Sequence, residues 1–298
     1  MRGKYRPVRL CILALAFSFA IVSGEWLDGT LAAEPSIEIV RDKVYVQRDS
    51  GPLAADIYIP RGEGPFPGML VVHGGAWRFG SRGQLAAAAS ALAENGYTAI
   101  AINYRLAPGH TFPAQLYDCQ AAVRWVRAHA KEFKVDPERI GGFGYSAGGH
   151  LVALLGTLGD DQMREPGVPA DAPSARLQLV LAGGAPCDFR SIPPNNAGLS
   201  YWLGGTRSGK PDAYRDASPA NFITPDDPPM LFFHGAQDEL VPIASPKSMV
   251  EQLVERKIKA EFHMVPKAGH LQAITDRDAL AHVLAFANVQ LKVERHGK

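Results

Sequence analysis

The sequence has little cysteine and no excess of charge of either sign. It contains 3 cysteines among 298 residues, and none lies with histidines at the spacings typical of zinc sites. The formal net charge is +1 at pH 7, and no basic stripe alternates with aromatic residues. A nucleic-acid-binding surface is therefore not expected. The sequence predicts a protein that needs no metal or organic cofactor.

An apolar run long enough to cross a membrane is also missing. The N-terminal run, residues 10–22, is shorter than the roughly 20 residues that a span requires. Basic residues precede it and small residues follow it, which is typical of a secretory signal peptide. We expect residues 1–33 to be a signal peptide, cleaved after Gly24 or Ala33, and the protein to be periplasmic or secreted. An uncleaved N-terminal anchor is the alternative; after cleavage, no stable membrane insertion is expected.

The few cysteines leave little room for disulfide bonding. Cys11 would be removed with the signal peptide, so Cys119 and Cys187 would remain. An oxidising compartment permits a bridge between them. However, Cys119 lies in a predicted helix and Cys187 follows a predicted strand. We therefore expect two unpaired, mostly buried thiols.

Short apolar segments alternate with amphipathic ones along residues 34–298, which we expect to form one domain. Nearly continuous apolar strands separated by helices indicate a parallel sheet that is covered on both faces. The fold class predicted is α/β, with a mostly parallel eight-stranded sheet whose first two strands form an antiparallel pair. The irregular segment at about 187–227 predicts a small cap or loop insertion. The predicted strands are residues 37–46, 53–59, 69–72, 98–102, 140–143, 177–182, 230–234 and 260–264.

One segment has the pattern of an activated serine. Residues 144–148 read Gly-Tyr-Ser-Ala-Gly, and they join a predicted strand to a predicted helix. Such a tight turn exposes the serine hydroxyl above the sheet, as in a nucleophile elbow. Ser146 is the predicted nucleophile. Ala147 would open the helix, where a free N–H group can hold an oxyanion.

The two partners that a serine nucleophile requires follow in the expected chain order. A base must take the serine proton, and an acid must orient that base. Asp238 comes after the strand at 230–234, and His270 lies in a glycine-containing loop after the strand at 260–264. We predict that Asp238 is the acid and His270 the base. Asp188, which follows the preceding strand, is the alternative acid.

The third element of the site lies upstream. Residues 73–77 read His-Gly-Gly-Ala-Trp and follow the strand at 69–72. Glycines let a backbone approach a substrate oxygen closely. Gly75 and Ala76 are therefore predicted to donate N–H groups to the oxyanion. Substrate contacts are predicted for Trp77, Tyr145 and Trp202; the alternative is that such aromatic side chains anchor loops to the core.

These motifs together resemble the α/β-hydrolase fold, and within it the esterase/lipase group with a His-Gly-Gly-x oxyanion loop. Residues 102–108 and 112–115 look like the same group, and the likeness runs from about Val44 to Val289. The chain resembles small bacterial feruloyl and acetyl esterases (carboxylesterases). Ala76 and Trp77 stand where the hormone-sensitive-lipase-like branch has a third glycine. That variant is similar to formamidases and isoprenylcysteine methylesterases.

The resemblance implies a serine carboxylic-ester hydrolase that works through a Ser-His-Asp triad and an acyl-enzyme. The expected substrates are small esters with short-chain or aromatic acyl groups, such as acetyl and feruloyl, including carbohydrate-linked ones. A small-amide hydrolase such as a formamidase is one alternative. A catalytically silent binding protein of the same fold is another. The sequence indicates no oligomeric state.

Overall fold

The core of the molecule is a sheet of eight strands in the order β1-β2-β4-β3-β5-β6-β7-β8. The computed structural model describes residues 36–160 and 162–291. β2 pairs antiparallel with β1 and with β4, and every pairing from β4 to β8 is parallel. The prediction of a mostly parallel eight-stranded sheet is therefore confirmed. The strands are β1 (Ile37–Arg48), β2 (Gly51–Pro60), β3 (Phe66–Val72), β4 (Thr98–Ile102), β5 (Val135–Tyr145), β6 (Leu179–Gly183), β7 (Met230–Gly235) and β8 (Ala260–Val265).

Helices cover both faces of this sheet, as predicted. α2, α3 and α6 contribute to one buried cluster, and α1 and α8 to another. β3 shows how one strand serves both clusters: Leu70 and Val72 face the first, whereas Met69 and Val71 face the second. The helices are α1 (Ala86–Glu94), α2 (Ala114–Ala128), α3 (Ala147–Thr157), α4 (Ser200–Leu203), α5 (Pro211–Asp216), α6 (Ala244–Glu255), α7 (His270–Ala273) and α8 (Arg277–Leu291).

The connection from β6 to β7 is the long irregular segment that the sequence predicted as a cap or loop insertion. It contains only the short helices α4 and α5 and a 3-10 turn at Pro219–Asn221. Trp202 and Tyr214 from this segment are fully buried, so they fasten it to the body of the protein. The described residues lie within one compact unit.

Two sequence predictions concern the cysteines and the N-terminus. Cys119 and Cys187 are both buried and unpaired. The predicted signal peptide, its cleavage sites at Gly24 and Ala33, and Cys11 lie outside the described residues. Among the helices in residues 36–160 and 162–291, none combines the length and apolar character that crossing a membrane requires.

Candidate active site

Ser146 occupies the single residue between the end of β5 and the start of α3. Its φ is 56° and its ψ is −119°, a conformation that residues with a side chain rarely adopt and that is typical of functional turns. The Ser146 N–H donates to the Gly183 carbonyl of β6 at 2.7 Å. The strained turn is thus tied to the neighbouring strand, and the serine side chain remains half-buried at the edge of the sheet.

Glycines on either side of Ser146 allow this turn to pack. A Cβ atom at Gly148 would lie 1.9 Å from the Val72 carbonyl oxygen. A Cβ atom at Gly144 would lie 2.3 Å from the Gly148 carbonyl oxygen. No side chain fits at such distances, which accounts for the glycines of the motif.

His270 joins the serine to the predicted acid. Its Nε2 lies 2.9 Å from Ser146 Oγ, and its Nδ1 lies 2.6 Å from Asp238 Oδ2. Because a carboxylate can only accept, Nδ1 carries the proton and Nε2 presents its lone pair to the serine hydroxyl. His270 is the first residue of α7 and follows β8 after a short loop, and Asp238 lies in the turn after β7. The three side chains predicted as nucleophile, base and acid therefore form one continuous hydrogen-bonded chain.

The Asp238 carboxylate is buried, and both of its oxygens accept hydrogen bonds. Its Oδ1 accepts hydrogen bonds from the backbone N–H groups of Leu240 and Val241, both at 2.9 Å. Burial alone would raise the pKa of Asp238, but the hydrogen bonds from Val241 and His270 outweigh it, and the pKa lies below its ordinary value. The group is therefore a carboxylate at neutral pH.

The alternative acid, Asp188, is hydrogen-bonded to Arg190. Its two carboxylate oxygens accept hydrogen bonds from the Arg190 guanidinium, at 2.9 and 2.7 Å, and the Arg190 backbone N–H also donates to it. The described contacts of His270 include Asp238 and not Asp188. The structure thus favours the first of the two acids that the sequence left open.

The loop of residues 73–77 lies against the nucleophile. A Cβ atom at Gly74 would lie 3.3 Å from Ser146 Cβ. Gly75 and Ala76 have positive φ, 107° and 52°, which turns their amides away from a regular strand. Within the described ranges, the N–H groups of Gly75, Ala76 and Ala147 donate to no protein acceptor. These predicted oxyanion donors are thus available to a ligand.

His73 supports this loop and is not a base. Its ring stacks on Tyr104 at 4.2 Å, and its Nδ1 lies 2.7 Å from the Gly74 carbonyl oxygen, to which it donates. The Tyr104 hydroxyl donates to the His73 carbonyl at 3.1 Å. Burial lowers the pKa of His73 to about 4, against the opposing effect of its bond to Gly74. A neutral ring therefore fixes the first peptide units of the loop.

A buried aromatic cluster lies behind the loop. Trp77 stacks on Trp202 with ring centroids 3.7 Å apart. The Trp77 indole N–H donates to His150 Nδ1 at 3.2 Å, so His150 Nε2 carries the proton that it donates to the Ala217 carbonyl at 2.7 Å. His150 is completely buried. The cluster connects the loop of residues 73–77, α3 and the insertion.

This packing corrects the predicted substrate contacts. Trp202 has 0% exposed surface, so the prediction that it touches substrate is wrong. Trp77 and Tyr145 are each only 4% exposed; Trp77 is covered by Trp202, and the Tyr145 hydroxyl donates to the His270 carbonyl. Large flat rings bury more apolar area by stacking than by lining an open cleft, and here they anchor the site from behind.

Three exposed apolar side chains lie beside predicted site residues in the sequence. Phe79 is 54% exposed, Leu240 68% and Leu271 72%. Phe79 and Leu240 lie in loops, and Leu271 lies in α7. Tyr201 anchors the loop of residues 73–77, since its hydroxyl donates to the Ala76 carbonyl at 2.8 Å.

Sequence reasoning also missed His234. Its ring is fully buried, and its Nε2 lies 3.0 Å from Asp238 Oδ2. The signal was present: His234 ends a predicted apolar strand four residues before the acid. A charged or polar residue on a fully buried strand requires a partner, and the Val241 carbonyl, 2.9 Å from His234 Nε2, supplies it. Among the described residues, no group of three or more His, Cys, Asp and Glu side chains is arranged to hold a metal ion.

Comparison with protein families assigns the chain to a family. The model of the BD-FAE family matches residues 55–253, more than half of the chain. The chain belongs to the BD-FAE family. The BD-FAE match includes Ser146 and Asp238, and His270 lies beyond its end.

Individual relatives agree with the BD-FAE assignment. The chain is 33% identical to esterase LipC of Mycobacterium tuberculosis over 213 residues, which is 69% of this chain and 53% of LipC. It thus spans about half the length of this curated relative.

Solved structures agree as well. A truncated carbohydrate esterase from gut microbiota superposes with a TM-score of 0.75 at 26% identity, covering 88% of this chain and 99% of that one. Thermogutta terrifontis esterase 2 phosphorylated by paraoxon superposes with a TM-score of 0.68 at 26% identity, covering 86% of this chain and 93% of that one. The predicted α/β-hydrolase fold is therefore confirmed.

Proposed function

We propose that this chain is a serine carboxylic-ester hydrolase with Ser146 as its nucleophile. His270 Nε2 takes the hydroxyl proton as Ser146 Oγ attacks the carbonyl carbon of the ester. The N–H groups of Gly75, Ala76 and Ala147 hold the oxyanion of the tetrahedral intermediate. When the intermediate collapses, the bond to the alcohol oxygen breaks and the imidazolium protonates the departing alkoxide. The acyl group remains bound to the serine oxygen.

Water completes the cycle by the reverse sequence. His270 removes a proton from water as the water oxygen attacks the acyl carbon, and it returns that proton to Ser146 as the acid product leaves. Asp238 keeps the Nδ1–H of the base directed away from the serine and stabilises the imidazolium. The short 2.6 Å contact between Asp238 and His270 and the low pKa of the acid support this role.

The observation that carries the proposal is the unbroken path from Ser146 Oγ through His270 to Asp238, with consecutive distances of 2.9 and 2.6 Å. It lies beside the loop of residues 73–77, where the N–H groups of Gly75 and Ala76 have no acceptor among the described residues. A nucleophile, a base, an orienting acid and oxyanion donors are the parts that acyl transfer requires. The esterase names of the relatives supply independent support.

The proposed substrates are short-chain or aromatic esters, including acetyl and feruloyl esters linked to carbohydrate. Three exposed apolar side chains, Phe79, Leu240 and Leu271, lie beside proposed site residues in the sequence, and the two α-helices of the insertion between β6 and β7 have only 4 and 6 residues. Exposed apolar side chains offer contact to a small acyl or aryl group, whereas such short helices do not enclose a tunnel for a long chain. The carbohydrate esterase among the structural neighbours supports the carbohydrate-linked class.

Hydrolysis of an aryl ester series, from acetate to decanoate with methyl ferulate, tests the proposal. We expect turnover to be greatest for acetate or ferulate. Ser146→Ala should lower kcat by up to about 10⁶-fold, because the nucleophile is lost. Wild-type turnover in that variant would refute the assignment of Ser146.

A fluorophosphonate probe separates the alternatives. We expect stoichiometric labelling of Ser146 in the folded protein, since the hydroxyl is activated by His270. Labelling without turnover of any ester, but with turnover of small amides, would favour a formamidase. Folded protein that takes up no label would favour a silent binding protein.

The proposed setting is the periplasm or the exterior of the cell. Its support is the pattern of a basic segment, a short apolar run and small residues within residues 1–33. N-terminal sequencing of protein recovered from the periplasm or medium would find a start after Gly24 or Ala33. A full-length chain retained in the membrane fraction would contradict the proposal.

A further inference from the structure

A second histidine lies against the proposed catalytic acid. His234 is near the end of β7, and its side chain has no exposed surface. Its Nε2 lies 2.9 Å from the Val241 carbonyl oxygen and 3.0 Å from Asp238 Oδ2. Both oxygens can only accept, so Nε2 carries a proton. That proton is donated to Val241, and the same N–H group places its positive end beside the carboxylate.

The other ring nitrogen shows that His234 stays neutral. Its Nδ1 is buried and has no hydrogen-bond partner in the described part of the chain. A proton there would add a buried charge without an acceptor, which is costly. Burial accordingly lowers the pKa of His234, against the opposing effects of the Val241 bond and of Asp238. His234 therefore does not compete with His270 as a base.

The turn that carries Asp238 is hydrogen-bonded to the His234 ring. The Val241 carbonyl accepts from His234, while the Val241 N–H donates to Asp238 Oδ1 at 2.9 Å. The Leu240 N–H donates to the same oxygen at 2.9 Å. Oδ1 is thus held by two backbone donors, and Oδ2 is left facing His270. The Leu240 side chain is exposed, so the outer part of the turn has little apolar packing of its own.

We propose that His234 is a positioning residue for ester hydrolysis: its N–H holds the Asp238–Val241 turn so that Oδ2 is directed at His270 Nδ1. The inference rests on the proposed function, and it adds a residue that touches neither the substrate nor the serine. His234 holds the turn through the Val241 carbonyl group. Every contact that links the His234 ring to His270, through Val241 and Asp238, is 3.0 Å or less.

Two substitutions at this position separate the N–H group from the bulk of the side chain. His234→Leu fills the buried site without a donor. His234→Gln retains an N–H group at a similar reach along the side chain. We expect His234→Leu to lower kcat by about 10- to 100-fold with KM nearly unchanged, because a small misplacement of a catalytic group costs rate rather than binding. We expect His234→Gln to recover most of that loss.

A variant on the same strand supplies the matched control. Phe232 is fully buried two positions earlier on β7, on the same face of the sheet. Phe232→Leu should lower the Tm through a cavity while leaving kcat per active site at the wild-type value. Active sites are counted in every variant by the burst of an organophosphate inhibitor, so that unfolded protein does not enter kcat.

NMR of the wild-type protein provides a second measurement that needs no variant. The nitrogen spectrum should show His234 as the neutral tautomer with its proton on Nε2. The short hydrogen bond from His270 to Asp238 should give a strongly downfield proton signal. That signal should persist in His234→Gln and should broaden or move upfield in His234→Leu.

The outcomes distinguish this inference from the proposed function. Unchanged kcat per active site in His234→Leu, or an Nδ1–H tautomer of His234, would overturn the positioning role. Ester hydrolysis that depends on Ser146 would stand in either case. If His234→Leu does not fold, the tautomer and the His234→Gln comparison still decide the matter: loss of the downfield signal and of kcat in His234→Gln would contradict a role for the N–H group.

Discussion

The two sides of the site are held by different kinds of contact. The nucleophile side, residues 72–77 and 144–148, depends on backbone atoms packed so closely that only glycine fits at Gly148. The acid–base side, residues 234–241 and 265–270, depends on hydrogen bonds. His270 and the backbone N–H groups of Leu240 and Val241 hold the Asp238 carboxylate, and His234 donates to the Val241 carbonyl. Positive φ at residues with a side chain occurs at Ala76, Trp77 and Ser146 on the nucleophile side and at Lys267 on the acid–base side.

The difference teaches where each side is vulnerable. A Cβ atom added at Gly148 would overlap the Val72 carbonyl oxygen, so a single methyl group there disrupts the nucleophile side. The groups that bind Asp238 can rotate or exchange hydrogen-bond partners, so a substitution of its carboxylate removes activity without removing the fold. Three predictions test this contrast.

The largest expected effect is on the acid–base side. Asp238→Asn should lower kcat by about 10⁴-fold, because an amide cannot hold His270 in the productive tautomer. Thermal unfolding of the variant should remain close to wild type, since the amide is nearly isosteric. Steady-state kinetics with an aryl acetate, together with the Tm, measure both effects.

The alternative acid supplies the control for that experiment. Asp188→Asn removes a carboxylate that pairs with Arg190 rather than with His270. We expect its kcat to stay within about threefold of wild type, as for a half-buried ion pair away from the chemistry. A loss comparable to that of Asp238→Asn would reverse the assignment of the acid.

The next effect concerns stability on the nucleophile side. Gly148→Ala places a Cβ atom 1.9 Å from the Val72 carbonyl oxygen. We expect the free energy of unfolding to fall by about 4 kcal/mol or more, in the range of severe core disruptions. Urea unfolding measures the loss.

An exposed glycine provides the comparison. At Gly83, a Cβ atom would meet only Ser81 Oγ, at 3.9 Å. Gly83→Ala should change the free energy of unfolding by no more than about 0.5 kcal/mol. Equal effects at Gly148 and Gly83 would contradict the close-packing account of the nucleophile turn.

The smallest effect is an acid sensitivity that originates at His150 in α3, the helix that begins at the nucleophile turn. Burial lowers the pKa of His150 to about 4 from its usual 6.5, against the opposing effect of its bond to the Ala217 carbonyl. The unfolded chain thus binds the proton more readily than the folded one. Stability from the neutral ring is present above about pH 6.5 and is lost as the pH falls to about 4, amounting to about 3 kcal/mol at most.

Removal of the titrating group isolates this contribution. His150→Gln cannot bind a proton, and Gln keeps an N–H group for the Ala217 carbonyl. The free-energy advantage of wild type over His150→Gln, measured by urea unfolding at several pH values, should shrink as the pH falls from 6.5 to 4. A constant difference would show that His150 is not responsible.

Much of the architecture was predictable because it depends on local sequence patterns. Alternating apolar strands and helices predicted the eight-stranded sheet, and the glycine-flanked serine predicted the strained turn. Asp238 and His270 were predicted because parallel strands place their carboxyl ends at one edge of the sheet. What failed was the environment of aromatic side chains: Trp202 follows a proline-rich loop in the sequence, yet it is fully buried.

The sequence by itself determined the order of the elements, the serine turn and the set of polar side chains at the sheet edge. The tertiary structure alone decided which carboxylate meets the base, and that Trp77 stacks on Trp202 rather than facing the substrate. It also revealed His234 beside Asp238. The physical reason is distance along the chain: Ser146 and His270 are 124 residues apart. Local patterns fix φ, ψ and periodicity, whereas contacts at such separation depend on how every intervening element packs.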